Sequence, residues 1–270
     1  MIWNVNPILV KLGPLEIRYY GLCFVAALLG GFYWWRWQIL RSGRTEEAAE
    51  KLLMPAAAAV VVGARLAHVI FYEPGRFLAD PVSILFVWQG GLASHGATVG
   101  LMLTLYWFSV KEKMPLLEVF DRFSFSAAWG AAMVRVGNFF NSEIVGRPTS
   151  MPWGFKFPRF DVGIPIDRVP VRHPSQIYEF LLALAVLLLL YVLDRSAGGE
   201  KRKPGLLGGA FLAAYFGGRF FVEFAKAYEG IPDTFPLTMG QMLSAPFVVV
   251  GLWLIFRGRK TTVSKPARGR

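Results

Sequence analysis

Seven stretches of this 270-residue chain are apolar over nearly the length that a membrane-spanning helix requires. A bilayer core about 30 Å thick needs a helix of roughly 20 apolar residues. Hydrophobic residues make up 54% of the chain and charged residues 17%, which leaves too little polar surface for a water-soluble globule of this size. The sequence therefore predicts an all-α polytopic membrane protein, with residues 1–270 forming a single integral membrane domain. The predicted helices lie at 19–38, 52–72, 96–110, 119–138, 176–193, 206–223 and 238–256.

The third predicted helix, at 96–110, is short for a full crossing. The glycine-rich sequence WQGGLASHG, at 88–96, precedes it. Non-helical backbone at membrane depth is tolerated only where protein or a water-filled cavity covers it. We therefore expect a re-entrant loop at this point, with the third helix beginning inside the membrane.

The predicted loops on the two sides of the membrane differ in positive charge. One alternate set of loops, together with the C-terminal tail, holds sixteen Lys and Arg residues, and the other set holds nine. An excess of Lys and Arg marks the cytoplasmic side. We therefore expect the N-terminus outside and a basic, solvated tail at 257–270 in the cytoplasm. The first apolar run follows Glu16 and lacks a signal-peptide pattern, so we expect it to be retained.

The formal net charge of +11 does not indicate a nucleic-acid partner. Nucleic-acid binding requires Lys and Arg to form a face or stripe, whereas here they are separated by apolar runs. The single cysteine, Cys23, excludes an internal disulfide and a cysteine-rich metal cluster. Because Cys23 lies in an apolar run, we interpret it as a small buried hydrophobic residue.

The longest predicted extramembrane segment, at 146–174, joins the fourth and fifth helices. It is rich in Pro, Phe and Trp, and this apolar content is too high for a disordered linker. The segment predicts a small folded extracytoplasmic cap that contains short strands. Its composition fits a packing cap and a lid over a substrate site equally well.

Polar residues recur near the end of the fourth predicted helix, in the sequence RVGNFFNSEIVG. Arg135, Asn138 and Ser142 follow at spacings of three and four, so they share one face if the helix continues that far. Asn141 and Glu143 lie beside them. Ionisable groups in hydrocarbon cost a few kcal/mol each and usually mark a site. The spacing alone fits a structural knot between helices as well as a cradle for a phosphate.

The sixth predicted helix carries a second polar face. Tyr215, Arg219 and Glu223 follow at intervals of four. A planar guanidinium donates two parallel hydrogen bonds to a phosphate, so Arg suits this ligand better than Lys. We expect Glu143 and Glu223 to hold the two arginines in position when no ligand is bound.

Two histidine-bearing sequences extend the polar set. Arg65 and His68 lie three residues apart on the second helix and either line the same cavity or leave Arg65 bonded to a carbonyl or water. His95, beside glycines at the start of the third helix, is a candidate general base because a neutral imidazole accepts a proton. A packing role fits His95 as well. No Ser-His-Asp or metal-ligand pattern joins it.

Five sequence blocks together resemble the prolipoprotein diacylglyceryl transferases, a family of bacterial membrane enzymes, across nearly the whole chain. The central block is the most specific. One departure is minor: the histidine motif of the family often continues with two glycines, whereas Ala97 follows Gly96 here. The blocks are RYYGL with Tyr20, SHGA with His95, RVGNFFNSEIVGRPT from Arg135 to Thr149, HPSQIYE from His173 to Glu179 and YFGGRFFVEF from Tyr215 to Phe224.

The resemblance implies a reaction. The diacylglyceryl group of phosphatidylglycerol would pass to the lipobox cysteine thiol in the signal peptide of a prolipoprotein, forming a thioether and releasing glycerol phosphate. It also implies a location in the bacterial cytoplasmic membrane and no requirement for a cofactor or metal. The catalytic residues would be His95, Arg135 and Arg219. The substrate-binding residues would be Arg135 and Arg219 together with Tyr20, Asn138, Asn141, Glu143, Tyr215 and Glu223.

Two other function classes remain open from sequence alone. An anion or lipid transporter would also line a cavity with arginines, but inverted repeats would be expected and the sequence has no evident internal repeat. A lipid-binding structural protein would not need His95 or a path for a thiol. A mass increase on a precursor peptide distinguishes the transferase from both alternatives.

Overall fold

A computed structural model describes residues 1–13, 15–87, 90–227 and 235–257 of the chain. The predicted basic tail therefore lies, apart from Arg257, outside the described residues. The described part is mainly helical, with three short 3-10 helices at Pro81–Leu85, Gly199–Lys201 and Glu223–Ala225. The α-helices are α1 Tyr19–Arg41, α2 Glu46–Phe71, α3 Pro74–Ala79, α4 Ser94–Lys111, α5 Leu116–Asn141, α6 Ser175–Ser196, α7 Leu206–Val222 and α8 Met239–Phe256.

Every predicted membrane segment coincides with one of these helices. Among the described residues, three helices are long and apolar enough to cross a membrane, namely α2, α6 and α8. Helix α7 has 17 residues, about 26 Å at a rise of 1.5 Å per residue, and α5 buries Asp121, Arg122 and Arg135. The protein is thus a helical membrane protein, and the crossing of all seven segments remains a prediction.

Helix α5 is the central element of the bundle. It packs against α1, α4, α6 and α7, whereas α2 pairs with α4 and α7 pairs with α8. One buried apolar cluster, around Trp35 and Phe108, joins α1, α2 and α4, and another, around Phe125 and Leu190, joins α5 and α6. Because neighbours surround α5 on several sides, its polar residues are enclosed by protein. Cys23, interpreted from sequence as buried, is only partly buried on α1.

The chain between α2 and α4 folds back along α2. The backbone N–H of Ala93 donates to the carbonyl of Ala64 at 2.9 Å, and Ala64 lies about 10 Å along α2 from its end at Phe71. Helix α4 therefore begins well before the level at which α2 ends, as the re-entrant interpretation expects. Trp88 and Gln89 of this loop lie outside the described residues.

Arg65 secures this loop through backbone carbonyls. Its guanidinium donates to Ser83 at 2.6 Å, Gly90 at 2.7 Å and Ile84 at 2.9 Å. Of the two sequence interpretations of Arg65, the structure supports the bond to carbonyls. Arg65 thereby stabilises the loop that leads to His95.

The predicted cap segment contains a small sheet. Strand β3, Phe155–Lys156, pairs antiparallel with β4, Val171–Arg172. Phe157 and Val169, in the same segment, are buried. The first residues of the chain add to this unit, because Lys156 N–H donates to the Met1 carbonyl at 2.9 Å. The short strands expected in this segment are present, and its extracytoplasmic position remains a prediction.

A hairpin that the sequence did not predict precedes the first helix. Strand β1, Ile8–Leu12, pairs antiparallel with β2, Leu15–Arg18, which runs directly into α1. Lys11 and Glu16 face each other across the pair and form an exposed ion pair at 3.3 Å. The described chain thus carries two two-stranded sheets beside its helices.

Candidate active site

Arg135 is buried near the end of α5, where only 8% of its surface is exposed. Its guanidinium forms an ion pair with Glu179 on α6, a residue that is 1% exposed. Arg135 Nη1 also donates to Asn138 Oδ1 at 3.0 Å. A buried charge without a partner is strongly destabilising, so Glu179 supplies the countercharge that allows Arg135 to be buried at this position.

The end of α5 arranges two asparagines around Glu143. Helix α5 ends at Asn141, and Ser142 adopts a left-handed conformation with φ of 56°. Asn138 Nδ2 donates to Glu143 Oε2 at 3.3 Å, and Asn141 Nδ2 donates to Oε1 at 3.0 Å. The Asn138 amide therefore accepts from Arg135 with its oxygen and donates to Glu143 with its nitrogen.

One expectation about this turn was wrong, and a second depended on how far the helix continues. We expected Glu143 to hold an arginine, but Glu179 takes that role at Arg135, and Glu143 instead accepts from the two asparagines. Ser142 would share the helical face of Arg135 only if the helix continued that far. The left-handed turn at Ser142 ends the helix before that residue, so the face stops at Asn138.

The first turn of α6 fixes Glu179 relative to α5. Gln176 Nε2 donates to the Glu143 carbonyl at 2.6 Å, and Ser175 Oγ donates to the Ile144 carbonyl at 2.6 Å. Both bonds hold the start of α6 against the turn that follows α5. Glu179 lies one helical turn further along α6, which places its carboxylate beside Arg135.

Helix α7 supplies the third wall of the site. Tyr215 is buried and lies close enough to Arg135 to interact with its charge. Arg219 Nε lies 3.8 Å from Glu223 Oε1. Glu223 also accepts from Thr238 Oγ1 at 3.1 Å and from Lys226 Nζ at 2.7 Å. Glu223 is thus the carboxylate nearest to Arg219 among the described residues, at a distance longer than a hydrogen bond.

Lys226 connects the two halves of the site. Its ammonium lies 2.7 Å from Glu223 and 3.6 Å from Glu179. Together the residues form a continuous series of opposite charges, which we call the charged chain. Its members, in order, are Arg135, Glu179, Lys226, Glu223 and Arg219.

Sequence reasoning missed Lys226 and the pairing role of Glu179. Lys226 was counted as a loop charge because it follows the end of the predicted sixth helix. The 3-10 turn Glu223–Ala225 directs it back into the site, and its spacing of three from Glu223 is the signal that could have identified it. In the sequence, Glu179 stood out only as the last residue of the block HPSQIYE, without a predicted role in the site.

The charged chain suits one bound anion. Its three cations outnumber its two carboxylates, so it carries one excess positive charge. Arg219 is the most accessible cation of the charged chain. Its side chain is 27% exposed, and its single carboxylate partner lies 3.8 Å away. Among the described residues, it is therefore the member with the most unused hydrogen-bond donors.

Tyr20 closes the site from α1. Its ring packs directly on Gly137, where an added Cβ would lie 2.8 Å from ring atom Cδ2. Such a contact is too close for any residue with a side chain, so Gly137 permits the approach of α1 to α5. Tyr20 also lies within electrostatic range of Arg135 and Glu143. The structure thus brings together every predicted binding residue on α1, α5 and α7.

His95 lies apart from this group. It is the second residue of α4 and is exposed. Its ring contacts Phe71 and Tyr72, each with a centroid separation of 5.9 Å. Within the described residues, no hydrogen bond or ion pair joins His95 to the charged chain. His95 therefore belongs to the wall formed by α2 and α4.

Comparisons with known proteins agree on one family. A family model described as prolipoprotein diacylglyceryl transferase matches residues 7–257. Curated proteins named phosphatidylglycerol--prolipoprotein diacylglyceryl transferase are similar over nearly the full length. That of Tolumonas auensis is 38% identical over 263 residues, covering 96% of this chain and 98% of the relative. That of Chloroherpeton thalassium is 38% identical over 265 residues, covering 96% and 95%. That of Vibrio cholerae is 38% identical over 261 residues, covering 93% and 91%.

Proposed function

The protein belongs to the prolipoprotein diacylglyceryl transferase family. We propose that its charged chain forms the active site at which the diacylglyceryl group is transferred. The protein is an enzyme that transfers this group from phosphatidylglycerol to a prolipoprotein in lipoprotein maturation. The observation that carries the mechanism is the excess positive charge of the charged chain, buried where two helices and the end of a third meet.

In the proposed reaction, the acceptor is the thiol of the lipobox cysteine. The sulfur attacks the glycerol carbon that carries the phosphate. The bond between that carbon and the phosphate oxygen breaks, a carbon–sulfur bond forms and glycerol phosphate leaves with the electron pair. The thiol proton passes to a base, because thiolate is the effective nucleophile.

Arg135 binds the phosphodiester and stabilises the charge that builds on the leaving phosphate. Its position is fixed before substrate arrives, by Glu179 on one side and Asn138 on the other. Donors that need no reorganisation during the reaction stabilise a developing charge most effectively, above all in a site that excludes water. Asn141 and Glu143 fix Asn138 in turn.

Arg219 is the second ligand of the phosphate. Its pairing with Glu223 is loose, and Glu223 is already bonded to Lys226 and Thr238. Arg219 can therefore turn toward an anion without leaving a carboxylate unpaired. Tyr20 and Tyr215, which flank Arg135, position the headgroup between the two arginines.

We assign removal of the thiol proton to His95. In support, its imidazole is exposed at the start of α4, on the wall formed by α2 and α4. The acceptor peptide would then approach along α2 and α4, and the lipid would lie against α5 and α7. A free thiol with a pKa of about 8.5 is already a few per cent ionised near neutral pH, so this assignment needs its own test.

We infer from the positive-inside rule that this site lies at the outer face of the membrane. The charged chain and Tyr20 lie at the ends of α1, α5, α6 and α7 that the positive-inside rule assigns to the extracytoplasmic side of the bacterial cytoplasmic membrane. Residues 146–174 cap that end, and the positive-inside rule assigns the basic sequence at 257–270 to the cytoplasmic side. A precursor that has crossed the membrane would present its lipobox at this face.

A product assay tests the function. Purified protein in detergent is incubated with phosphatidylglycerol and a lipobox peptide, and the peptide mass is measured. We expect an increase equal to one diacylglyceryl group, no increase for a peptide with Cys replaced by Ser, and release of glycerol phosphate. Movement of lipid without a change in peptide mass would instead identify a transporter.

A further inference from the structure

A groove between α1 and α6 lies at the far end of the molecule from the charged chain. Its volume is about 210 Å³, and one side is open to the surface. Along α6, Glu179 and Arg195 are separated by roughly 24 Å at 1.5 Å per residue. The groove is therefore separate from the proposed active site. The residues that line it, which we call the aromatic groove, are Tyr33, Trp34, Trp37, Tyr191 and Arg195.

The walls of the aromatic groove are rings held in place by packing. Trp37 stacks on Tyr191 with ring centroids 6.2 Å apart, and this contact joins α1 to α6. Trp34 stacks on Phe125 of α5 at 5.7 Å. Trp34 lies about 10 Å, and Trp37 about 6 Å, along α1 from its end at Arg41. Aromatic rings at this depth lie where hydrocarbon meets headgroups.

The rim of the aromatic groove carries an uncompensated positive charge. The guanidinium of Arg195 lies 5.3 Å from the centre of the Tyr191 ring. Within the described residues, no carboxylate pairs with it. Arg41 lies 4.6 Å from the Trp37 ring, but it pairs with Asp194 at 2.5 Å and with Glu200 at 3.5 Å. Arg195 is therefore the cation of this groove that is available to an anion.

The groove also presents polar tips around its apolar walls. In the part of the chain that the structure describes, the indole N–H groups of Trp34 and Trp37 make no hydrogen bond, and neither do the hydroxyls of Tyr33 and Tyr191. Rings with a polar tip suit a ligand that is apolar on one side and polar on the other. The ligand that matches these walls and this charge carries both hydrocarbon and an anion.

We propose that the aromatic groove binds one anionic phospholipid. Its phosphate pairs with Arg195, its glycerol and ester oxygens accept from the indole and hydroxyl groups, and the first part of an acyl chain lies on Trp34 and Trp37. This lipid is not a substrate, because it occupies the membrane face opposite the charged chain. An apolar partner helix would offer no anion to pair with Arg195. The proposal depends on membrane insertion and not on the transfer reaction.

Photo-crosslinking tests this proposal directly. The protein is reconstituted with either phosphatidylserine or phosphatidylcholine carrying the same photoreactive acyl chain. Labelled peptides are then mapped by mass spectrometry. We expect the anionic probe to label the peptides that contain Trp37 and Tyr191 more strongly than the zwitterionic probe. Labelling near the charged chain is scored separately, so that binding of a lipid at the active site does not enter the result.

A matched pair of variants makes the test specific. Arg195→Gln should lower anionic labelling of the groove about fivefold, the effect of one basic residue near a membrane surface, and Arg195→Lys should restore most of it. Lys111→Gln removes a cation that also lies over a tryptophan, Trp107, at the end of α4, and should change nothing in the groove. Equal labelling by both lipids, or an unchanged result in Arg195→Gln with a normal unfolding temperature, would overturn the proposal.

Discussion

Arg135 and Glu179 form a buried ion pair that links α5 to α6. Neither residue reaches water to any useful extent, so each depends on the other for charge compensation. Lys226 lies on the far side of Glu179 at 3.6 Å and carries the pairing across to α7. A phosphate that binds Arg135 therefore meets a charge network that is already assembled.

Glu179→Gln should weaken both activity and stability. Loss of the carboxylate leaves Arg135 buried without a countercharge, a change that typically costs about 3–5 kcal/mol. We expect a lower unfolding temperature in detergent and a loss of kcat/KM of at least about tenfold. Glu16→Gln serves as the control, because among the described residues Glu16 pairs only with exposed Lys11 and Arg18. Equal effects of the two substitutions would contradict the role of Glu179.

Lys226→Met tests whether the ammonium of Lys226 holds Arg135 and Arg219 in position. Without the ammonium, Glu179 and Glu223 face each other as like charges, which should displace Arg135 and Arg219 together. We expect kcat to fall more than KM rises. Lys226→Arg retains the charge and should recover most of the rate. A variant with full kcat and a normal unfolding temperature would show that the charged chain does not act as a unit.

Gly137→Ala should disturb the contact between α1 and α5. The new Cβ would lie 2.8 Å from the Tyr20 ring, and overpacking of this kind typically costs about 1–3 kcal/mol. Gly130→Ala on the same helix is the matched control, because a Cβ there meets no atom within 4 Å. Alanine also favours helix by roughly 1 kcal/mol over glycine. Thermal unfolding should therefore move in opposite directions for the two variants, and a parallel shift would refute the packing argument.

The sequence predicted the positions of the helices well, but it predicted poorly which charged side chains form ion pairs. Apolar length is a local property, so all the predicted segments coincide with helices. Glu179 escaped notice because its partners, Arg135 and Lys226, lie on other elements, and spacing within one helix carries no information about them. Lys226 escaped notice although it lies three residues from Glu223, because it follows the end of the predicted helix. The hairpin Ile8–Arg18 was missed although the Gly13-Pro14 pair is a turn signal. The end of α5 was misjudged because the left-handed conformation of Ser142 has no clear signal in sequence.

Acidic pH should lower the stability of the fold at the end of the helix bundle that lies away from the charged chain, because Glu200 loses its charge there. Burial alone would raise the pKa of this carboxyl, but the hydrogen bond from Arg122 and the charges of Arg122, Arg202 and Arg41 lower its pKa overall. A carboxyl whose folded pKa is depressed stabilises the fold above its unfolded pKa, about 4.3. That stability is lost as the pH falls through the lower folded pKa.

The measurement is the unfolding temperature of the detergent-solubilised protein between pH 6 and pH 3, for the native chain and for Glu200→Gln. The native chain should be the more stable near pH 6, and the difference should shrink as the pH falls below about 4.3. Because a third of the Glu200 side chain is exposed, the effect is modest. A difference that stayed constant across this range would exclude titration of Glu200 as its cause.

His95→Gln tests the assignment of the base. If His95 takes the thiol proton, the variant should lose about 100-fold or more in kcat, and the loss should shrink as the pH approaches the thiol pKa of about 8.5. Binding of phosphatidylglycerol should be unchanged, because His95 lies apart from the charged chain. A rate near that of the native enzyme at neutral pH would leave catalysis to the arginines alone.

The central claim is that Arg135 and Arg219 bind and stabilise the leaving phosphate. The most direct test is the mass-resolved transfer assay run to steady state for Arg135→Gln, Arg219→Gln and, as a control, Arg168→Gln in the cap, where the Arg168 side chain is 80% exposed. The account predicts a loss in kcat/KM of about 100-fold or more for each of the first two, with no change for the third. Native kcat/KM in either Arg135→Gln or Arg219→Gln, with the variant folded and inserted in detergent, would contradict it.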